Sequence, residues 1–169
     1  MDDNYYTEQP LGLHLSLLAK AYVGAISKKL EDLPLDRYFY FIAFIGEREN
    51  EEKVTQQTIC EALNIDKASM VRVIDELIGK GLVKKDVNPA DRREHLLNLT
   101  EKAREMVPDI QSAIKEVNEK AFQGFTNQEI EAFYHSLYTI CNNISAMPSH
   151  VVELEMNKVS KTFNSNEHS

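Results

Sequence analysis

Apolar side chains recur every three or four residues over residues 11–30: Leu11, Leu15, Leu18, Tyr22 and Ile26 share one side, and Leu13 and Leu17 widen the stripe. That spacing predicts a helix, and one with more apolar surface than a single neighbour covers. Pro34 breaks it, and Asp36 is a candidate cap for a second element over residues 37 to 49. There the run Tyr38-Phe39-Tyr40-Phe41-Ile42-Ala43-Phe44-Ile45 has the composition of a buried strand, so helix and strand both stay open. Residues 47–53 read as a charged connector. Further on, Met106, Ile110, Ile114, Val117 and Ala121 form a helical stripe that starts at the capping residue Thr100 and ends at Gly124, with Pro108 expected to bend it. Thr126 and Glu129 make a capping box for a last helix, with Ile130, Phe133, Leu137, Ile140, Cys141 and Ile144 on one side.

The middle of the chain changes rhythm. Thr55 is placed to cap a short helix carrying Ile59, Cys60 and Leu63, which Asn64 ends. Ile65 then plugs a turn, and Asp66 caps a second helix whose apolar positions are Met70, Val73, Ile74, Leu77 and Ile78. The other side of that helix presents Lys67, Ala68, Ser69 and Arg72 near its N-terminus, where small and basic side chains suit a DNA groove. Gly81 fits the left-handed position just past its end. Residues 82–87 read as a strand, Asn88-Pro89-Ala90-Asp91 as a turn, and residues 94–99 as the returning strand. Two short helices followed by a charged hairpin describe a winged helix-turn-helix. Arg92 and Arg93 fall at the hairpin tip, with Asp91 beside them as an orienting partner, and Lys84 and Lys85 flank the expected DNA backbone.

With those pieces in order, the chain resembles the multiple antibiotic resistance regulator (MarR) family. The resemblance is carried by Asp66-Lys67-Ala68-Ser69-Met70-Val71-Arg72, by Lys80-Gly81-Leu82-Val83, by the wing Asn88-Pro89-Ala90-Asp91-Arg92-Arg93, and by Leu97-Asn98-Leu99-Thr100. One departure is Ala103, where the family often has glycine; alanine favours helix. The resemblance implies that residues 37–49 are helical. It also implies a homodimer, and a small aromatic effector bound between the DNA-binding lobe and the dimerisation helices, with His14, Arg37, Tyr38 and Phe41 as the candidate pocket.

Charge sharpens the picture. The net charge is -8 over 169 residues, which opposes indiscriminate binding to nucleic acid. Between Lys67 and Arg93, however, seven basic residues face four acidic ones, a local +3 that leaves -11 for the remainder. Binding is therefore expected on one face. The two cysteines, Cys60 and Cys141, lie far apart, and Cys60 reads as a small core hydrophobe. The five histidines, His14, His95, His135, His150 and His168, show no metal-ligand spacing, so neither metal nor cofactor is expected. Gly79-Lys80-Gly81 lacks the rest of a phosphate loop and no nucleophile motif stands out, which argues against an enzyme. The acidic start MDDNYYTEQP has no signal region and no apolar run matches a membrane span, so a cytoplasmic location is expected.

The expected fold is mainly α with a small β-hairpin wing: a winged helix-turn-helix lobe plus a helical dimerisation bundle. Residues 1–33 supply an N-terminal dimerisation helix, 34–100 the DNA-binding lobe, 101–148 the C-terminal dimerisation helices and 149–169 a partly ordered tail. The expected function is regulation of transcription by a homodimer on a pseudo-palindromic double-stranded operator, as a repressor relieved by a small ligand. Lys67, Ala68, Ser69, Arg72, Lys84, Lys85, Asp91, Arg92 and Arg93 are the expected DNA contacts. The alternative is a winged-helix adaptor or antirepressor that binds protein, which has no need of Arg92 and Arg93 beside a basic helix.

Overall fold

The structure is a computed structural model, and it describes residues 9–50, 53–63, 65–89 and 94–145. Among the described residues six helices and a two-stranded hairpin follow in the order α1 (Leu11–Lys29), α2 (Phe39–Arg48), α3 (Gln56–Leu63), α4 (Lys67–Gly79), β1 (Val83–Val87), β2 (His95–Leu99), α5 (Glu101–Ala121) and α6 (Asn127–Ser145). The fold is the expected winged helix-turn-helix with flanking long helices. Asn64, the wing-tip residues Ala90, Asp91, Arg92 and Arg93, and the tail 149–169 lie outside the described residues.

Residues 39–48 are a helix, and burial explains why no period marks it. Phe39, Ile42, Ala43, Phe44 and Ile45 are all within 1% of full burial, so α2 meets neighbours on most of its circumference. It starts two residues later than expected, and Asp36 does not cap it. The N-cap is Tyr38, with no side-chain bond, while Asp36 adopts φ +46° and sends its carboxylate to Lys80 Nζ at 2.8 Å. Gly46 lets α2 approach α5 and the end of β2: a Cβ there would meet Val107 Cγ2 at 2.8 Å and Leu99 Cδ1 at 3.2 Å. In the charged connector after α2, the Glu49 side chain is buried among partners from β2 and α5.

The caps read from sequence form. Thr55 Oγ1 accepts from Thr58 N–H at 3.1 Å, Thr100 Oγ1 from Ala103 N–H at 3.3 Å, and Thr126 and Glu129 bond each other's backbone N–H groups reciprocally. Ala103 is fully buried inside α5, which tolerates it without difficulty. The α5 stripe runs through Ala103, Met106, Ile110, Ala113 and Val117; Ala121 is exposed, and the helix ends there, with Gly124 at φ +93° in the turn beyond.

Two surfaces stay uncovered. Of α1 only Ile26 is buried, whereas Leu13, Leu17 and Leu18 are each more than half exposed. Its C-terminal half is fastened to α5 by Tyr22 Oη, which donates to Asn118 Oδ1 at 2.5 Å, and by the Lys29–Glu116 pair. The helix α6 has no buried residue at all. Its predicted stripe is instead half-covered, with Phe133 and Tyr134 gathered around Phe122 at ring-centroid distances of 5.9 and 5.7 Å.

Candidate nucleic-acid interface

Helix α4 is set by its two ends and its inner face. Asp66 Oδ1 accepts from Ser69 N–H at 2.9 Å; hydrogen bonding from the Ser69 side chain, then from that N–H, holds the Asp66 carboxyl below the usual carboxylate range. Met70, Ile74 and Leu77 are buried in the core. At the far end Leu82 N–H reaches Leu77 C=O and Gly81 N–H reaches Ile78 C=O, both at 2.9 Å, with Gly81 at φ +66°. These are the paired bonds of a Schellman stop, with Leu77 and Leu82 both buried. Ile78, expected on the inner stripe, is 37% exposed because the helix turns it past the core edge.

The hairpin grows from that stop. Val83 pairs with Leu99 and Val87 with His95 in antiparallel register, and both Val83 and Leu99 are buried. Thr100 ties the hairpin base to the helix end: its hydroxyl donates to Gly81 C=O at 2.8 Å and its N–H to Leu82 C=O at 3.0 Å. On the other side Val54 C=O accepts from Leu97 N–H at 2.8 Å and Thr55 bridges Leu96, so the start of α3 lies against β2. Asn88, read from sequence only as a turn residue, is buried. Its amide donates to Glu94 Oε2 at 2.6 Å and its N–H to Glu94 C=O at 3.1 Å, which closes the base of the wing loop.

Lys67, Ala68, Ser69 and Arg72 are all exposed on α4, and Lys84 and Lys85 are exposed on β1. Lys85 Nζ lies 3.5 Å from Asp75, so the helix and the wing are also linked across their outer edge. Between them opens a hollow of about 370 Å³ whose lining includes Thr55, Gln56, Gln57, Lys67, Lys85 and His95. Gln56 Nε2 donates to Lys67 C=O at 3.2 Å, which fixes the start of α4 relative to α3. The amino-acid sequence alone does not point to Gln56, Gln57 or His95, since amides and a lone histidine give no periodic or motif signal.

Of the expected pocket residues, three come together. The Arg37 guanidinium carbon stands 5.9 Å from the Tyr38 ring centroid, and the Phe41 centroid 6.1 Å from it. Tyr38 Oη donates to Glu76 Oε2 of α4 at 2.5 Å; that bond, then burial, pushes the Tyr38 phenol above its ordinary range. His14 sits apart, its Nδ1 3.1 Å from Pro10 C=O in the exposed first turn of α1. Cys60 is buried and burial pushes its thiol up, as befits a small core hydrophobe. Among the described residues no group of three or more His, Cys, Asp or Glu side chains is arranged to hold a metal ion, and no helix is long and apolar enough to cross a membrane.

Residues 32–94, from the linker before α2 to the far side of the wing, match the model of the MarR family. The winged-helix region of this chain belongs to the MarR family. Solved MarR structures extend the likeness beyond that segment. A MarR family transcriptional regulator from Listeria monocytogenes, complexed with a 26mer DNA, is 26% identical, covers 80% of this chain and 89% of its own, and superposes with TM-score 0.68. A MarR transcriptional regulator from Methanosarcina mazei Go1 is 27% identical over 79% of this chain and 94% of its own, with TM-score 0.64. CouR from Rhodococcus jostii RHA1, bound to p-coumaroyl-CoA, is 26% identical over 85% of this chain and 96% of its own, with TM-score 0.65. The MarR-matched segment contains α2, α3, α4 and β1, and so every expected DNA contact; α1, α5 and α6 fall outside it.

Proposed function

We propose that this chain is a sequence-specific DNA-binding regulator of transcription, acting as a homodimer and by default as a repressor. The observation that carries this is the exposed outer face of α4, with Lys67, Ala68, Ser69 and Arg72 in its first two turns, braced from within and set beside Lys84 and Lys85 of the wing. A helix N-terminus with basic and small side chains enters a major groove, and a wing carrying Arg92 and Arg93 reaches the adjacent minor groove or phosphates. Arg93 is the minor-groove residue in this reading, Arg92 a phosphate contact and Asp91 their orienter. The Listeria relative solved with DNA supports the same reading.

The uncovered leucines of α1 and the unburied stripe of α6 support dimerisation, since a second copy would cover them. Light scattering showing a monomer at micromolar concentration would remove that part. A small aromatic effector is the proposed ligand, at Arg37, Tyr38 and Phe41 with His14 at the periphery; the complex of CouR with p-coumaroyl-CoA supports a ligand-responsive reading. Such a ligand weakens operator binding only by its differential affinity for the two lobe spacings.

The test is fluorescence anisotropy of labelled DNA from upstream of the protein's own gene against scrambled DNA at two salt concentrations. Preference for the upstream DNA that falls steeply with salt is expected, and Arg93→Ala is expected to reduce the salt slope by about one, each neutralised phosphate contributing about 0.9. No sequence preference, even after selection from random DNA, would leave the protein-binding adaptor as the better reading.

A further inference from the structure

Among the exposed positions in the first two turns of α4, one breaks the polar rule. Lys67, Ala68, Ser69 and Arg72 are basic, small or polar, whereas Val71 is a branched hydrocarbon, 43% exposed. It is not spare core. Met70 and Ile74 fill the interior and Val73 packs against it, while Val71 lies outside that cluster.

Its place on the helix is informative. Residues four apart stack in a row, so Val71 lies between Lys67 and Asp75, and both ends of that row reach Lys85 of β1: Lys67 through the shared hollow and Asp75 through its ion pair. Val71 therefore lies on the row of α4 that runs beside the wing, exposed and outside the lining of the hollow, with Ala68 as its small neighbour one turn back. A duplex seated on α4 would cover it.

We infer that Val71 is a specificity-determining residue that reads the 5-methyl group of a thymine in the major groove, with Ala68 completing the apolar contact. The inference rests on the DNA-binding reading above. In the major groove that methyl is the one bulky apolar group on a base edge; cytosine carries only a C5–H there, and the purine edges present hydrogen-bond donors and acceptors. A valine cannot satisfy those groups and would strip their water, so cytosine, adenine and guanine edges are disfavoured against it. Covering a methyl is the one contact it rewards.

The test uses the full-length protein and an operator selected from random DNA. Each thymine is replaced singly by deoxyuridine, which keeps the same hydrogen-bonding edge and lacks only the methyl. Wild type is expected to lose affinity about fourfold at one thymine in each half-site, the worth of roughly one buried methyl. Val71→Ala is expected to bind the unmodified operator weaker by a similar factor and to be indifferent to uracil at that position alone. Val71→Thr, which keeps the branch and one methyl, should keep part of the response and serves where the alanine variant binds too weakly to measure. Wild type indifferent to every uracil, or Val71→Ala retaining the full uracil response everywhere, would overturn the assignment. Failure to select any operator would overturn the DNA-binding reading and the assignment with it, and is distinguishable because it precedes any change to a thymine.

Discussion

Replacing Glu49 is expected to separate the wing from its support. Its side chain, 3% exposed, accepts from Leu99 N–H at 2.8 Å and from Arg104 Nε at 2.6 Å, so one carboxylate joins the end of α2 to the last residue of β2 and the first turn of α5. Glu49→Ala leaves the Leu99 N–H without its acceptor in a buried place, a loss of about 1–3 kcal/mol. The Arg104 contact adds little, because that guanidinium is 41% exposed and water replaces the carboxylate. Glu49→Gln keeps an amide oxygen for Leu99 and gives up only the charge, so it should lose less than about 1 kcal/mol. Urea unfolding followed by circular dichroism at one fixed protein concentration measures both, as midpoint shifts at constant slope. Equal losses for the two variants would show that charge rather than the N–H acceptor matters. A loss below about 0.5 kcal/mol for Glu49→Ala would refute the bridging role altogether.

Two further outcomes are expected. Gly81→Ala should destabilise by about 1–2 kcal/mol in the same assay, purely through its backbone, since φ is +66° and an added Cβ meets nothing within 4 Å; Gly81→Asn should lose less. For Asp66, whose folded-state carboxyl is held low by the Ser69 bond, the stabilising contribution is complete above the unfolded carboxylate value near ~3.9 and fades as pH falls through the lower folded value. The stability gap between wild type and Asp66→Ala should thus be constant near neutrality and narrow in acid, and a gap that widens in acid would contradict the cap.

Local signals in this chain are the ones a sequence expresses well. Asp66, Thr100 and the Thr126–Glu129 box act on backbone groups three residues away, and Gly81 answers a local dihedral, so each is legible in the amino-acid sequence by itself. The stripes of α4 and α5 are legible for the same reason, one face being buried and the other wet. Where partners are distant, sequence misleads. Asp36 reads as a cap but pairs with Lys80, and Glu49 reads only as part of a charged connector but bonds Arg104, 55 residues on. Residues 39–48 give no period because burial surrounds them, so only family resemblance separates helix from strand there. Val71 gives no signal either, because a valine beside a helical stripe does not declare which way it faces.

The distribution of braces suggests where regulation acts. Helix α4 is held at its start by Asp66 and Gln56, at its outer edge by Asp75–Lys85, and at its end by Gly81 and Thr100. Its remaining flank is bonded to the α1–α2 linker and the start of α2, through Glu76–Tyr38 and Lys80–Asp36. Each of these bonds lies within one chain, so α4 is positioned without a partner. The exposed end of α1 and the half-covered stripe of α6 are less firmly fixed among the described residues, and in the proposed dimer a second copy would cover them. An effector has little to gain by deforming α4, where several bonds would have to break together. In the proposed reading it has more to gain at Tyr38, where one phenol joins the proposed pocket to α4 and the linker leads directly to α1. In the proposed dimer a ligand there would change the spacing of the two winged lobes rather than the shape of either.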